Sequence, residues 1–324
     1  MNKQALRADI LLLLTSCIWG FAFVAQRVGM DYVGPFTFNG IRFLLGSLSL
    51  LPLIFFLRHR AAAEVSSAGK GNAPASASPV KASPKRIVLS SLAAGTCLFV
   101  AASLQQIGIL YTTAGHSGFI TGLYVVLVPI FGMFLGRKTG LPTWVGAVFT
   151  LTGLYFLSAA GNAGSVNIGD IITAVSALFW TCHVLAIDAL VKKVDPLILS
   201  SGQFACCGIF SCIVALLRME PLAAVNLVEG MVPILYGGLG SVGVAYTLQV
   251  VAQKDAPPAH ASIVLCLEGV FAAAGGMLIL SEPLGRWTLL GFVLMFCGMI
   301  ATQWDVLFSG FSGKSTGAGE GNRG

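Results

Sequence analysis

Charge is what this sequence has least of. Only 10% of its 324 residues are Asp, Glu, Lys or Arg, while 56% are hydrophobic. A soluble domain carries about 25% charged residues. A soluble chain of this length could not hide so much apolar surface, so the composition places it in a bilayer. Metal-binding patterns are missing too. The eight cysteines, Cys17, Cys97, Cys182, Cys206, Cys207, Cys212, Cys266 and Cys297, all fall in apolar runs. They read as small buried hydrophobes rather than as a disulfide or metal framework. No two histidines or acids stand at i, i+4, which argues against a metal centre.

Other absences exclude whole classes of function. The net charge of +6 is scattered between apolar runs and forms no basic patch interleaved with aromatics, so no nucleic-acid partner is expected. Gly313-Lys314-Ser315 brushes against a phosphate-binding loop, but Phe308 stands where the first glycine should be and no strand precedes it. No paired acids, histidine cluster or nucleophile with a base is visible, so no catalytic residue and no cofactor is expected. Lys3 and Arg7 before Leu11–Leu14 imitate a secretory signal. The apolar run continues past Phe23 without a clean cleavage site, which argues for a spanning helix instead.

What the chain does contain is a repeat. Asp9, Trp19, Pro35 and Arg42-Phe43 are followed, 161 positions later, by Asp170, Trp180, Pro196 and Gln203-Phe204. Further along each half the offset slips to 144 or 145. Gln105 then matches Gln249, His116 matches His260, Gly146 matches Gly291 and Gly153 matches Gly298. Two related hydrophobic halves point to a secondary carrier with its solute site between them.

A spanning helix needs about 20 apolar residues. Such runs predict an all-α integral membrane fold with ten segments, at 9–29, 36–57, 87–111, 116–135, 142–160, 168–190, 197–217, 231–252, 260–280 and 287–307. Residues 1–160 form the first five-helix repeat and 161–308 the second. Residues 61–84 and the tail 309–324, rich in Ala, Ser, Gly and Pro, read as disordered cytoplasmic segments. With the N-terminus inside, 15 Lys and Arg fall in inside segments and three outside, Arg27, Arg218 and Arg286, with Arg42 within a span. That bias puts both termini in the cytoplasm. Five helices per half also force the two copies into opposite orientations, an inverted repeat.

Trp19-Gly20, Pro35, Arg42-Phe43, the run His116-Ser117-Gly118-Phe119-Ile120-Thr121-Gly122-Leu123-Tyr124 and Ser281-Glu282-Pro283-Leu284 resemble the drug/metabolite transporter superfamily, specifically its EamA-type permeases. The resemblance runs from about Ala8 to Trp304. It implies ten helices in two inverted repeats and a multi-pass carrier of small organic solutes in a bacterial cytoplasmic (inner) membrane. The family often has glutamate in both copies of the loop after the fourth helix of each repeat. Here Glu282 fills one copy and Arg137-Lys138 the other, so Glu282 is not assumed to be functional. The 61–84 segment is also longer than is common in such permeases.

Polar side chains inside the spans are the candidate cavity residues, since each costs a few kcal/mol in hydrocarbon unless it faces protein or water. Arg42 lies about 9 Å inside its helix, at about 1.5 Å per residue. It suits a carboxylate, with snorkelling to the headgroups as the alternative. Glu268 is the deepest acid and suits proton coupling or cation binding, with an interhelical hydrogen bond as the alternative. Tyr246, Gln249 and Gln253 form one polar stripe, and Gln105 with Gln106 a second; helix-to-helix bonding is their alternative role. Trp19 and Trp180 offer flat rings for a solute or for packing. His183, one turn after Trp180, joins the candidate site, while His116 and His260 open their helices and read as caps. The expected partners are a small-molecule solute, membrane lipids and, as a candidate coupling ion, protons. A homo-oligomer is compatible with this pattern. An integral-membrane enzyme or a sensor without transport is the competing class.

Overall fold

The computed structural model describes residues 3–67, 82–159, 168–221, 224–281 and 286–302, and every regular element in them is helical. The helices are α1 (Lys3–Gly29), α2 (Pro35–Ser67), α3 (Pro84–Gly108), α4 (Ala114–Thr121), α5 (Tyr124–Phe134), α6 (Leu141–Ala159) and α7 (Ile168–Leu190). Then follow α8 (Pro196–Leu217), α9 (Ala224–Glu229), α10 (Met231–Leu235), a π-helix (Tyr236–Tyr246), α11 (Thr247–Ala252), α12 (Pro258–Leu265), α13 (Glu268–Leu280) and α14 (Arg286–Thr302). Eight helical stretches among the described residues are long and apolar enough to cross a membrane. The other two expected segments, 142–160 and 287–307, are helical over Leu141–Ala159 and Arg286–Thr302. Large apolar side chains such as Phe55, Phe134 and Leu216 stand exposed on outer faces, as a lipid-facing surface requires.

Helix starts follow their local chemistry. Asp195 caps α8 by accepting from the N–H groups of Leu197 (3.0 Å) and Ile198 (3.3 Å), with Pro196 in the first turn. Ser83 with Pro84 starts α3 in the same way, and Thr113 accepts from the His116 N–H to start α4. The Glu220 carboxylate does this at long range, accepting from the N–H groups of Phe36 (3.2 Å) and Thr37 (2.7 Å) at the start of α2. Gly136, at φ 75°, ends the α5 segment in a backbone region that glycine enters without strain.

Three features depart from the sequence expectation. Helix α2 runs on to Ser67, so 61–67 is helical where disorder was expected. Ala-rich sequence propagates a helix that is already nucleated. Residues 68–81 and 303–324 lie outside the described residues. The spans expected at 116–135 and 260–280 are each divided, α4 from α5 and α12 from α13. The eighth span contains an 11-residue π-helix, YGGLGSVGVAY. Its four glycines let the wider coil pack closely, and α1 donates to its carbonyls from Thr15 Oγ1 to Ala245 O (3.2 Å) and Trp19 Nε1 to Ser241 O (3.3 Å).

The first and second halves of the sequence are interleaved rather than set side by side. α1 packs on α13, α2 on α8, α3 on α7 and α6 on α14. In the last pair a Cβ on Gly153 would stand 2.7 Å from Gly291 O, and a Cβ on Gly298 would stand 2.7 Å from Gly146 O. Four glycines picked out by their spacing therefore form one contact, and at Gly153 and Gly298 the facing backbone comes too close for any side chain.

Candidate functional site

The two divided spans and the π-helical span converge with α1, α2, α3 and α7 on one internal cavity of about 30 Å³. Its lining joins residues from both halves. Trp19 and Gln26 come from α1, Arg42 from α2, Gln105 from α3, Thr121 from α4, Tyr124 from α5 and Trp180 from α7. Ser241 and Tyr246 come from the π-helix, Gln249 from α11 and Glu268 from the start of α13.

Arg42 is 1% exposed, which rules out snorkelling. Its Nε donates to Asn39 Oδ1 (2.9 Å), and its guanidinium carbon lies 4.8 Å from the Phe43 ring centre and 5.5 Å from that of Phe38. Such cation–π contacts contribute about 0.5–2 kcal/mol. They do not use all its donors, and Nη2 is buried without a hydrogen-bond partner. An unmet buried donor costs about 1–3 kcal/mol. Among the described residues no carboxylate lies within ion-pair distance of Arg42. Asn39 is itself fixed by donating from Nδ2 to Ala102 O (3.2 Å).

Glu268 is 4% exposed and opens α13, where the helix N-terminus favours a negative group. Its Oε1 accepts from the Tyr124 hydroxyl at 3.3 Å. Glu268 and Arg42 thus share a pocket, an acid and a base, without an ion pair between them.

Aromatic rings form one wall. Trp19 and Tyr246 lie 4.5 Å apart between centres, and Trp180 stacks on Tyr246 at 6.0 Å. Tyr246 also meets Phe43 and Phe204, each at 5.9 Å. The amides supply spare acceptors, since Gln26 Oε1 and Gln249 Oε1 are buried without partners. Gln105 instead donates to Thr121 Oγ1 at 2.9 Å.

Of the eight cavity candidates named from the sequence, Arg42, Gln105, Tyr246, Gln249, Glu268, Trp19 and Trp180 line this pocket. His183 does not. Its Nε2 shares a 2.8 Å hydrogen bond with Gln203 Oε1, and its ring stands behind Trp180 and Tyr246. The one-turn spacing from Trp180 put it on the right side of α7, but α8 covers that part of the face. Gln253 and Gln106 also leave the pocket and make bonds to Val184 O (3.2 Å) and Gln26 O (3.4 Å). His260 pairs with Asp9 (2.6 Å) rather than acting as a cap. Gln26, Thr121, Tyr124 and Ser241 are lining residues that sequence reasoning passed over.

All eight cysteines are free, and no metal-binding group of three or more His, Cys, Asp or Glu occurs among the described residues. Glu282 lies outside the described residues.

The sequence profile of the EamA-like transporter family matches residues 6–159 and again 167–303. The chain belongs to the EamA family. Its relatives are similarly described. An "uncharacterized transporter" of Archaeoglobus fulgidus is 28% identical over 92% of this chain and 86% of its own. An "uncharacterized inner membrane transporter", YedA, of Escherichia coli is 23% identical over 90% and 89%. A solved structure titled only "Crystal structure of protein" superposes with a TM-score of 0.70 at 15% identity, covering 95% of this chain and 99% of that one. The last shows a shared fold. Together with the apolar helices, these matches make the EamA chain a multi-pass membrane transporter.

Proposed function

We propose that this EamA protein is a secondary active carrier that moves a small organic solute with an anionic group, such as a carboxylate, by alternating access. In this reading ten helices form two inverted five-helix repeats in a bacterial cytoplasmic membrane, with both termini inside. The chemistry is binding and release, with no covalent step. Arg42 takes the anionic group through its free Nη2, and Trp19, Trp180 and Tyr246 hold the apolar body. Gln105 and Gln249 orient polar substituents, and Glu268 carries a coupling proton. The observation that supports this most is the unbridged pair: Arg42 and Glu268 line one pocket between the halves and make no ion pair. Two buried ionisable groups that do not satisfy each other are expensive to keep for packing alone. Solute binding can drive the cycle only if its affinity differs between the inward and outward states.

The test is reconstitution into liposomes with a panel of labelled organic acids and neutral analogues. Net, gradient-driven uptake of an acid is expected. Product formation without uptake would instead identify an enzyme. Orientation is tested separately in a background lacking native cysteines. A cysteine at Ser76 should react with a membrane-impermeant thiol reagent only in inside-out vesicles, and labelling of intact cells would reverse the assignment.

A further inference from the structure

The two divided helices meet each other, and they do so at matching positions. Tyr124 opens α5 and Glu268 opens α13, and the two residues are 144 positions apart, the same offset that relates Gln105 to Gln249. The Tyr124 hydroxyl donates to Glu268 Oε1. Two residues earlier, the Cys266 thiol meets Gly122 O at 3.1 Å, again across 144 positions. Phe43 and Phe204, related by the other offset of 161, also touch, with ring centres 6.4 Å apart. A residue that touches its own counterpart lies at the centre of the relation between the two halves. Glu268 therefore sits at the junction, and its hydrogen-bond partner is the phenol that occupies its own position in the first half.

We propose that Tyr124 is a positioning residue for coupling: it holds the Glu268 carboxyl at the junction of the halves, where a proton can be exchanged with either side as the halves rock. The proposal rests on the reading of Glu268 as the proton carrier. The proton enters the carboxyl from water on one side and leaves to water on the other, and the phenol keeps its own proton throughout. As a neutral donor Tyr124 favours the ionised carboxylate, and on protonation of Glu268 that bond weakens. The contact joins α5 of the first half to α13 of the second, so its strength links protonation to how the halves sit.

Few other groups bear on the carboxyl. The titratable side chains lining the pocket besides Glu268 are Arg42 on α2, Tyr124 on α5 and Tyr246 on the π-helix. Cys266, between α12 and α13, lies beside it as well. α1, α3, α4, α7 and α11 present Trp19, Gln26, Gln105, Thr121, Trp180 and Gln249, none of which titrates.

The experiment uses the full chain in liposomes with the organic acid identified in the uptake panel. It compares wild type, Tyr124→Phe and Glu268→Gln for accumulation, solute exchange and pH profile. Tyr124→Phe is expected to displace the pH midpoint of transport by about one unit and to lower accumulation several-fold, while exchange persists. A merely structural tyrosine would leave the pH profile in place, and an unmoved profile overturns the proposal. Glu268→Gln separates the two levels of the argument. Loss of accumulation with exchange retained keeps Glu268 as carrier, whatever Tyr124 does; wild-type accumulation removes Glu268 and the proposal with it. If Tyr124→Phe does not yield folded protein, the paired exchange Tyr124→Glu with Glu268→Tyr replaces it. The junction is then rebuilt with its partners swapped, and accumulation above that of either single exchange is expected. Accumulation no better than the single exchanges contradicts the proposal.

Discussion

Two of the contacts that join the first half of this chain to the second are built on opposite terms. Between α6 and α14 the contact is close and mostly apolar. Gly146, Gly153, Gly291 and Gly298 bring the backbones together, and Thr150 Oγ1 beside Gly298 is a buried polar atom without a hydrogen-bond partner. Around the pocket the contact is polar and incomplete. Arg42 Nη2, Gln26 Oε1, Gln249 Oε1 and Trp180 Nε1 are all buried there without partners. Both interfaces contain residue pairs related by the repeat, so common descent does not explain the difference. Packing alone would favour the first solution everywhere, because each unmet polar group costs about 1–3 kcal/mol. On the proposed reading, the pocket retains these groups for the solute to meet.

This contrast can be broken at either interface. The largest effect on folding is expected from Gly153→Leu. Even a Cβ there would stand 2.7 Å from Gly291 O, a backbone atom that cannot swing aside. Overpacking of this kind costs about 1–3 kcal/mol. A clear fall in the melting temperature of the purified protein is expected, with the solute KM of the surviving fraction unchanged. A stable Gly153→Leu protein would mean the α6–α14 contact is looser than described. A smaller effect separates two glutamines on one helical stripe. Gln253→Leu removes the donor to Val184 O and should destabilise the protein by about 1 kcal/mol without changing KM. Gln249→Leu removes an acceptor that nothing uses, so stability should change by less than about 0.5 kcal/mol while KM rises several-fold. If Gln249→Leu instead lost stability with KM intact, the pocket amides would be structural glue. The smallest effect is expected at Arg137, which pairs with Asp188 at 2.5 Å while 31% exposed. Lys192 also reaches Asp188, so Arg137→Ala should cost no more than about 1 kcal/mol in thermal unfolding.

The same contrast explains what could be read from the sequence. Spanning helices were legible because bilayer thickness fixes their length and hydrocarbon fixes their composition. Arg42, Glu268, Gln105 and Gln249 stood out as polar groups in apolar runs. Trp19 and Trp180 stood out because they recur at one offset. The glycine contact was legible for the same reason. The divisions at Gly122-Leu123 and Cys266-Leu267 were not, because the backbone there keeps near-helical angles and only the hydrogen bonding changes. The π-helix left only a cluster of glycines as its trace. Tyr124 could have been found, since subtracting 144 from Glu268 lands on it. Gln26 could not, because its counterpart, Ile187, is apolar. His183 and Gln253 show the limit of helical periodicity. It tells which face turns inward, but whether that face meets a cavity or another helix depends on neighbours far away in sequence.

Central to the proposed function is Arg42, whose unpartnered Nη2 is proposed to take an anionic group of the solute. Arg42→Lys keeps the charge and loses the two-pronged geometry. The most direct test is the apparent KM of this variant in liposomes, for an organic acid and for its uncharged amide analogue. A rise of about tenfold is expected for the acid, equivalent to about 1.4 kcal/mol, and little change for the amide. An unchanged constant for the acid would contradict it and leave Arg42 as a structural residue of α2.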